Sequence, residues 1–289
     1  MIPFNFIRPA SLDEALGFLA EKGEGTKIIA GGTDLLVELR GIPAGEKGPK
    51  RVLDISGLPE LKGIRKEGEE IVVGSGSTHR EVHTSDLIRE AAPLLAAASA
   101  AVGAAQHRNI ATIGGNIMNA SPAADTVPAL IALEAEAVLM SREGKRVEKL
   151  SGIFVKPYLT SVRPDEILTS VRFRCLPPGA RSAFVKLGRR NALAISRMNV
   201  AVVLFLEDGM IREARIAPGS ATPMPERFAA AEKILVGKRP SEELFRAAGA
   251  AVAAEMVERS GRRWSTPYKE PVIAALAARA LREAGRSRE

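Results

Sequence analysis

Two glycine pairs, in AGGTDLL (30–36) and TIGGN (112–116), constrain this chain more than any other feature, because each stands where a strand-like run gives way to a turn. Glycine at such a junction admits another backbone or a ligand at close range, since no Cβ stands in the way. Amides exposed in the turn, with a helix N-terminus behind them, form an anion-binding concavity. One such loop is more simply a turn; two together suit a pyrophosphate. The second pair opens TIGGNIMNASPAADTVPAL (112–130), which contains no Lys or Arg and leads into a helix-like run.

Other phosphate and catalytic motifs fail on inspection. GSGSTH (74–79) begins like GxGxxG, but His79 stands where the third glycine belongs, and no GxxxxGK[ST] occurs. Neither a Rossmann fold nor a P-loop is supported. In HREVH, His79 and His83 are four apart on a helix, yet Arg80 takes the place of a zincin glutamate and the remaining histidine is His107. A surface or capping role is expected for both imidazoles. No GxSxG elbow marks a nucleophilic serine.

Around these motifs the chain reads as α+β. Ser11 and Glu14 form a capping box for a helix whose Leu12, Ala15, Leu16 and Leu19 recur at helical spacing until Gly23. A buried strand over 27–30 reaches the Gly31-Gly32 turn, and Thr33 or Asp34 caps the next helix. RVLDIS is a strand, and LKGIRKEGEEIVVGSGSTH a hairpin leading to a helix capped by Thr78 and Glu81. A helical stretch over 85–105 is interrupted at Pro93, residues 130–135 are helical, and a hairpin turns near Gly144. DEILTSVRFRCLPPG is a strand closed by Pro177-Pro178-Gly179, the expected domain boundary. Three long strands follow, turning at Asp208-Gly209, and then helices over about 226–236, 241–259 and 268–285.

The net charge of +7 does not make a nucleic-acid binder, because aromatics are 4% and the basic residues alternate with acids. The one local excess, RRNALAISR, suits a bound polyanion or an acidic partner. A lone cysteine, Cys175, excludes a disulfide framework and a cysteine-held iron–sulfur cluster within the chain. No window approaches the ~18 apolar residues of a membrane span, and the first residues lack a signal pattern, so a cytoplasmic protein is expected.

Taken in order, FNFIRPASLDEALGFL, AGGTDLL, NIATIGGNIMNASPAADTVPAL, DEILTSVRF, FVKLGRRNALAISRMNVAV and YKEPVIAALAARAL resemble the FAD-binding medium subunit of the molybdenum hydroxylases, the xanthine, carbon monoxide and aldehyde dehydrogenase family. The resemblance covers nearly the whole chain. It implies a vanillyl-alcohol-oxidase-like (PCMH-type) FAD-binding domain over 1–176, with α/β subdomains of about 1–56 and 57–176. A C-terminal α+β domain of the CO dehydrogenase flavoprotein type would fill 177–289.

Carried over by position, the resemblance implies that Ala30, Gly31, Gly32, Thr33, Asp34, Leu35 and Leu36 cradle the FAD pyrophosphate. Thr112, Gly114, Gly115 and Asn116 would hold it from the other side, with amide dipoles doing the binding. Asp125 would accept from an FAD hydroxyl, Leu168 would pack on the adenine, Lys186 would lie near the cofactor, and Ile195 would lie by the isoalloxazine. Val102 stands where some members stack an aromatic ring, and the loop RRNALAIS offers no tyrosine to cover the flavin. Cys175 alone excludes the members that carry an extra four-iron cluster here.

The implied function is electron transfer. Substrate would be hydroxylated at a molybdenum cofactor on a large partner, which chooses it. Electrons would cross [2Fe-2S] clusters on a small partner to FAD in this chain and leave to an external acceptor, in a dimer of three-subunit units. No general acid or base is assigned to the chain. The alternative is a self-sufficient FAD reductase of the same fold, similar to the one that makes UDP-N-acetylmuramic acid, and the match through the C-terminal third favours the subunit. A third reading, a binding protein without cofactor, predicts a colourless preparation.

Overall fold

The computed structural model describes residues 3–43, 45–190 and 193–286. The chain begins with β1 (Asn5–Ile7), α1 (Leu12–Lys22), β2 (Thr26–Ile29), α2 (Leu35–Gly41) and β3 (Arg51–Asp54), and its three strands pair in parallel in the order β1-β3-β2. Ser11 accepts the Glu14 amide through its hydroxyl at 3.2 Å, but the Glu14 carboxylate accepts from the Ala10 amide at 2.7 Å rather than from Ser11, so only half of the expected capping box forms. Ala15, Leu16 and Leu19 then face Leu53, Leu58 and Leu61 in a small core of their own. A parallel pair needs a helical crossover, which α1 and α2 supply.

Next come β4 (Ile64–Glu67), β5 (Glu70–Gly74), α3 (His79–Thr84), α4 (Asp86–Ala91), α5 (Pro93–Ala100), α6 (Ala105–Arg108), α7 (Ile113–Met118) and α8 (Thr126–Ala132). The strands β6 (Glu136–Ser141), β7 (Gly144–Lys149), β8 (Phe154–Lys156), β9 (Leu159–Thr160) and β10 (Ile167–Arg174) follow. A five-stranded antiparallel sheet results, ordered β4-β5-β10-β6-β7, with β8 and β9 pairing separately. Thr78 and Glu81 make the full capping box of α3, and Pro93 sits at the start of α5, where its missing N–H costs nothing.

Two expectations shift here. The segment TIGGN is not a strand end and turn: Thr112 is extended, and both of its glycines lie inside α7. Glycine disfavours helix by ~1 kcal/mol each, which hid this element, but Thr112 caps it and Ile113 and Ile117 anchor it in the core. Likewise the helix read over 130–135 starts earlier, at Thr126, and ends at Ala132, with Leu133 as its C-cap and Glu134 turning the chain with a φ of 54°.

The last unit is β11 (Ala180–Leu187), β12 (Met198–Glu207) and β13 (Met210–Gly219), an antiparallel sheet, followed by α9 (Ala229–Leu235), α10 (Glu242–Ser260) and α11 (Thr266–Gly285). Its central strand is buried on both faces, and the period of two divides the work. Val200, Val202 and Leu204 pack with the three helices, whereas Ala201 and Val203 join the core of the preceding unit. The two units therefore share a strand's worth of apolar surface. Among the described residues no helix is long and apolar enough to cross a membrane.

Candidate functional site

The loop after β2 is held open by its glycines. A Cβ on Gly31 would lie 2.1 Å from the carbonyl oxygen of Ile110 and 2.8 Å from Cα of Ala111, so only glycine lets this loop cross the segment before Thr112. Gly32 takes a φ of 69°, the left-handed region that favours glycine. Beyond the crossing, the amides of Gly31, Gly32, Thr33, Asp34 and Leu35 find no acceptor among the described residues. Asp34 occupies the N-cap position of α2 with its side chain exposed and no capping hydrogen bond. Ala30, Thr33, Leu35 and Leu36 are half-buried beside it. Five consecutive unclaimed amides, with no acidic residue but Asp34 among them, are the donor set a pyrophosphate requires.

The second motif spends its amides on the protein. Ile113 donates to the Ser77 carbonyl at 2.9 Å, Gly114 to the Ser75 carbonyl at 2.8 Å and Asn116 to the Thr112 carbonyl at 3.0 Å. Gly115 donates to Thr112 Oγ1 at 3.0 Å. Gly114 is buried, and a Cβ there would lie 2.6 Å from Cβ of Ser75 and 2.7 Å from its carbonyl oxygen. Its glycine serves helix-to-strand packing. Gly115 is exposed, and the side-chain NH2 of Asn116 has no acceptor among the described residues, while its Oδ1 accepts from Thr126 Oγ1 at 2.7 Å.

Asp125 precedes α8 but does not cap it; its carboxylate turns toward the C-terminal unit. Lys186 Nζ donates to Oδ2 at 2.6 Å, and Ser196 Oγ and Asn199 Nδ2 donate to Oδ1 at 2.6 and 3.2 Å. Lys186 also donates to the carbonyl of Ala101 at 2.8 Å, which ties Val102's neighbour to the same cluster. Burial pushes the Asp125 carboxyl up, against the opposing pull of Lys186, Ser196 and Asn199. Ser196 and Asn199 escaped the sequence reading. The available signal was a polar residue in the apolar run MNVAVV, which must find a partner when buried.

The remaining residues separate. Val102 is half-buried, and its carbonyl accepts from Arg108 at 2.9 Å. Ile195 is 80% exposed on the loop before β12, where it lines a surface hollow with Arg189, Arg190, Leu193 and Arg197; Asn191 and Ala192 lie outside the described residues. Leu168 is buried in the core, opposite Leu139 on β6. His79 departs from expectation most. It is fully buried, neither ring nitrogen has a partner, and burial, with Arg108 nearby, pushes its imidazole down to about 4. Its position at the start of α3, where its amide donates to the Ala111 carbonyl at 3.0 Å, turns the ring inward rather than to the surface.

Residues 2–173 match the FAD binding domain in molybdopterin dehydrogenase, and residues 182–284 match the CO dehydrogenase flavoprotein C-terminal domain. The chain is similar to the carbon monoxide dehydrogenase medium chain of Hydrogenophaga pseudoflava, at 31% identity over 98% of each chain. It is similar to the glyceraldehyde dehydrogenase medium chain of Sulfolobus acidocaldarius, at 30% identity over 97% of this chain and 98% of the other. Among solved structures, the reconstituted CO dehydrogenase from Oligotropha carboxidovorans superposes with a TM-score of 0.90 at 28% identity, covering 99% of both chains.

Proposed function

Because the chain belongs to the FAD-binding medium subunits of the molybdopterin dehydrogenases, we propose that it is the electron-transfer subunit of a molybdenum hydroxylase complex. FAD held by this chain would supply the redox chemistry between [2Fe-2S] clusters on a small partner and an external acceptor. Substrate oxidation would belong to a molybdenum cofactor on a large partner, within a cytoplasmic dimer of three-subunit units. In this reading residues 1–176 bind the cofactor and 177–289 close the site from the other side.

The chain's own residues bind and orient. Amides 31–35 take the pyrophosphate, and the crossing of Gly31 over Ile110 fixes that loop. The second motif contributes the exposed flank of Gly115 and the NH2 of Asn116 rather than helix amides. Asp125 and Lys186 hold polar groups of the cofactor, and Ile195 covers the ring. The observation that carries the reading is the run of five amides without an acceptor among the described residues, leading into a helix N-terminus where an anion binds.

The test is an absorption spectrum of the chain co-purified with its partner subunits, with released cofactor identified by mass. Flavin bands and the mass of FAD are expected. A complex that releases no flavin on denaturation even after addition of FAD, or one that carries FMN, which lacks the pyrophosphate, would sink the assignment.

A further inference from the structure

Resting on FAD as the ligand, we propose that Ser196 and Asn199 are positioning residues that leave Asp125 one open acceptor site, directed at a single hydroxyl of the cofactor. An ionised carboxylate offers about four acceptor sites, two on each oxygen. Ser196 Oγ and Asn199 Nδ2 take both on Oδ1, and Lys186 Nζ takes one on Oδ2. One site on Oδ2 remains. The Lys186 ammonium has three donors, of which Asp125 and the Ala101 carbonyl use two. The pair therefore presents one acceptor beside one donor.

Both positioning side chains are themselves fixed. Asn199 is fully buried, and the missing Cβ of Gly219 makes its room: an added Cβ would lie 2.3 Å from Asn199 Oδ1 and 2.6 Å from Cγ of Pro128. The Ser196 carbonyl accepts from Ser220 Oγ at 3.3 Å, and the next amide, of Arg197, donates to the Leu187 carbonyl at 2.8 Å. Asn199 Oδ1 has no hydrogen-bond partner among the described residues. A residue kept only for packing would gain by becoming leucine, because the orphaned oxygen costs free energy. What the asparagine contributes is its NH2 group, which donates to Asp125 at 3.2 Å.

The roles also set the charge of Asp125. Lys186 on β11 is the charged group acting on it, with Ser196 and Asn199 the uncharged donors that precede and begin β12. Each donor removed favours the protonated acid, which cannot accept through its O–H.

The experiment measures FAD affinity of the assembled complex from pH 8 to 6 in wild type, Ser196→Ala, Ser196→Thr and Asn199→Leu. Wild type should hold FAD with little pH dependence. Ser196→Ala and Asn199→Leu should bind roughly tenfold more weakly, with the deficit growing as pH falls, while Ser196→Thr recovers most of the affinity. Unchanged affinity and pH profile would overturn the proposal. So would a pH-independent loss accompanied by a lower melting temperature, which marks a purely structural role. A wild-type complex that takes up no flavin would instead sink the FAD reading itself.

Discussion

The two glycine loops look alike in sequence and are built for different ends. In AGGTDLL the glycines permit a crossing and a left-handed turn, and the amides beyond them are left without acceptors. In TIGGN the glycines lie in a helix whose amides are consumed, and Gly114 is there because Ser75 leaves no room for a side chain. A glycine pair thus signals close approach, and only the hydrogen-bond accounting says whether a ligand or the protein is what approaches.

The largest test of that difference is Gly114→Val. Its side chain would be forced into Ser75, and overpacking of this kind costs about 3 kcal/mol or more. The melting temperature of the chain should fall steeply whether or not flavin is added. A variant of wild-type stability that fails only to bind FAD would mean that the second loop is a ligand cradle after all.

His79 probes the same side of the comparison through pH. Its imidazole takes a proton near 6.5 when unfolded but only at about 4 when folded, owing to burial first and then Arg108. Stability from this site is therefore fully present above pH 6.5 and is lost as pH falls toward 4, by at most about 3 kcal/mol. Denaturation in that window should steepen in wild type, and His79→Leu should flatten it. An equal slope in both would remove the site from the acid response.

Smaller effects separate the loops more finely. Thr112→Ala removes the acceptor of the Gly115 amide and should cost about 1 kcal/mol, typical of a lost cap. Gly115→Val would bring its Cβ to 3.0 Å from Thr112 Oγ1, the cap oxygen its own amide donates to, and should cost about 1 kcal/mol of stability, while lowering FAD affinity of the complex. Asp34→Ala, at a cap position that makes no hydrogen bond, should shift stability by less than about 0.5 kcal/mol. Equal costs for Thr112→Ala and Asp34→Ala in denaturant titrations would erase the distinction drawn here.

Much of the scaffold was legible because its signals are local. The Ser11 cap, the Thr78 and Glu81 box, the break at Pro93 and the turn at Asp208-Gly209 each depend on a few neighbouring residues, and each lies where the sequence places it. The short helix over 113–118 was not, since its stability comes from burial of Ile113 and Ile117 rather than propensity. Nor could the sequence bring Ser196 and Asn199 to Asp125, from 71 and 74 residues away, because converging side chains leave no periodic trace. His79 was misread for the same reason: an inward ring follows from how α3 packs on its neighbours.

The reach of these contacts bears on when a site can exist during synthesis. Gly31 is fixed by Ile110, Lys186 by Ala101 and Asp125 by Asn199, so each closure waits for chain made long after its first member. Loop closure over such separations is slow, and no partial chain on the ribosome holds the whole arrangement. The complete arrangement therefore exists only once the chain extends through Asn199.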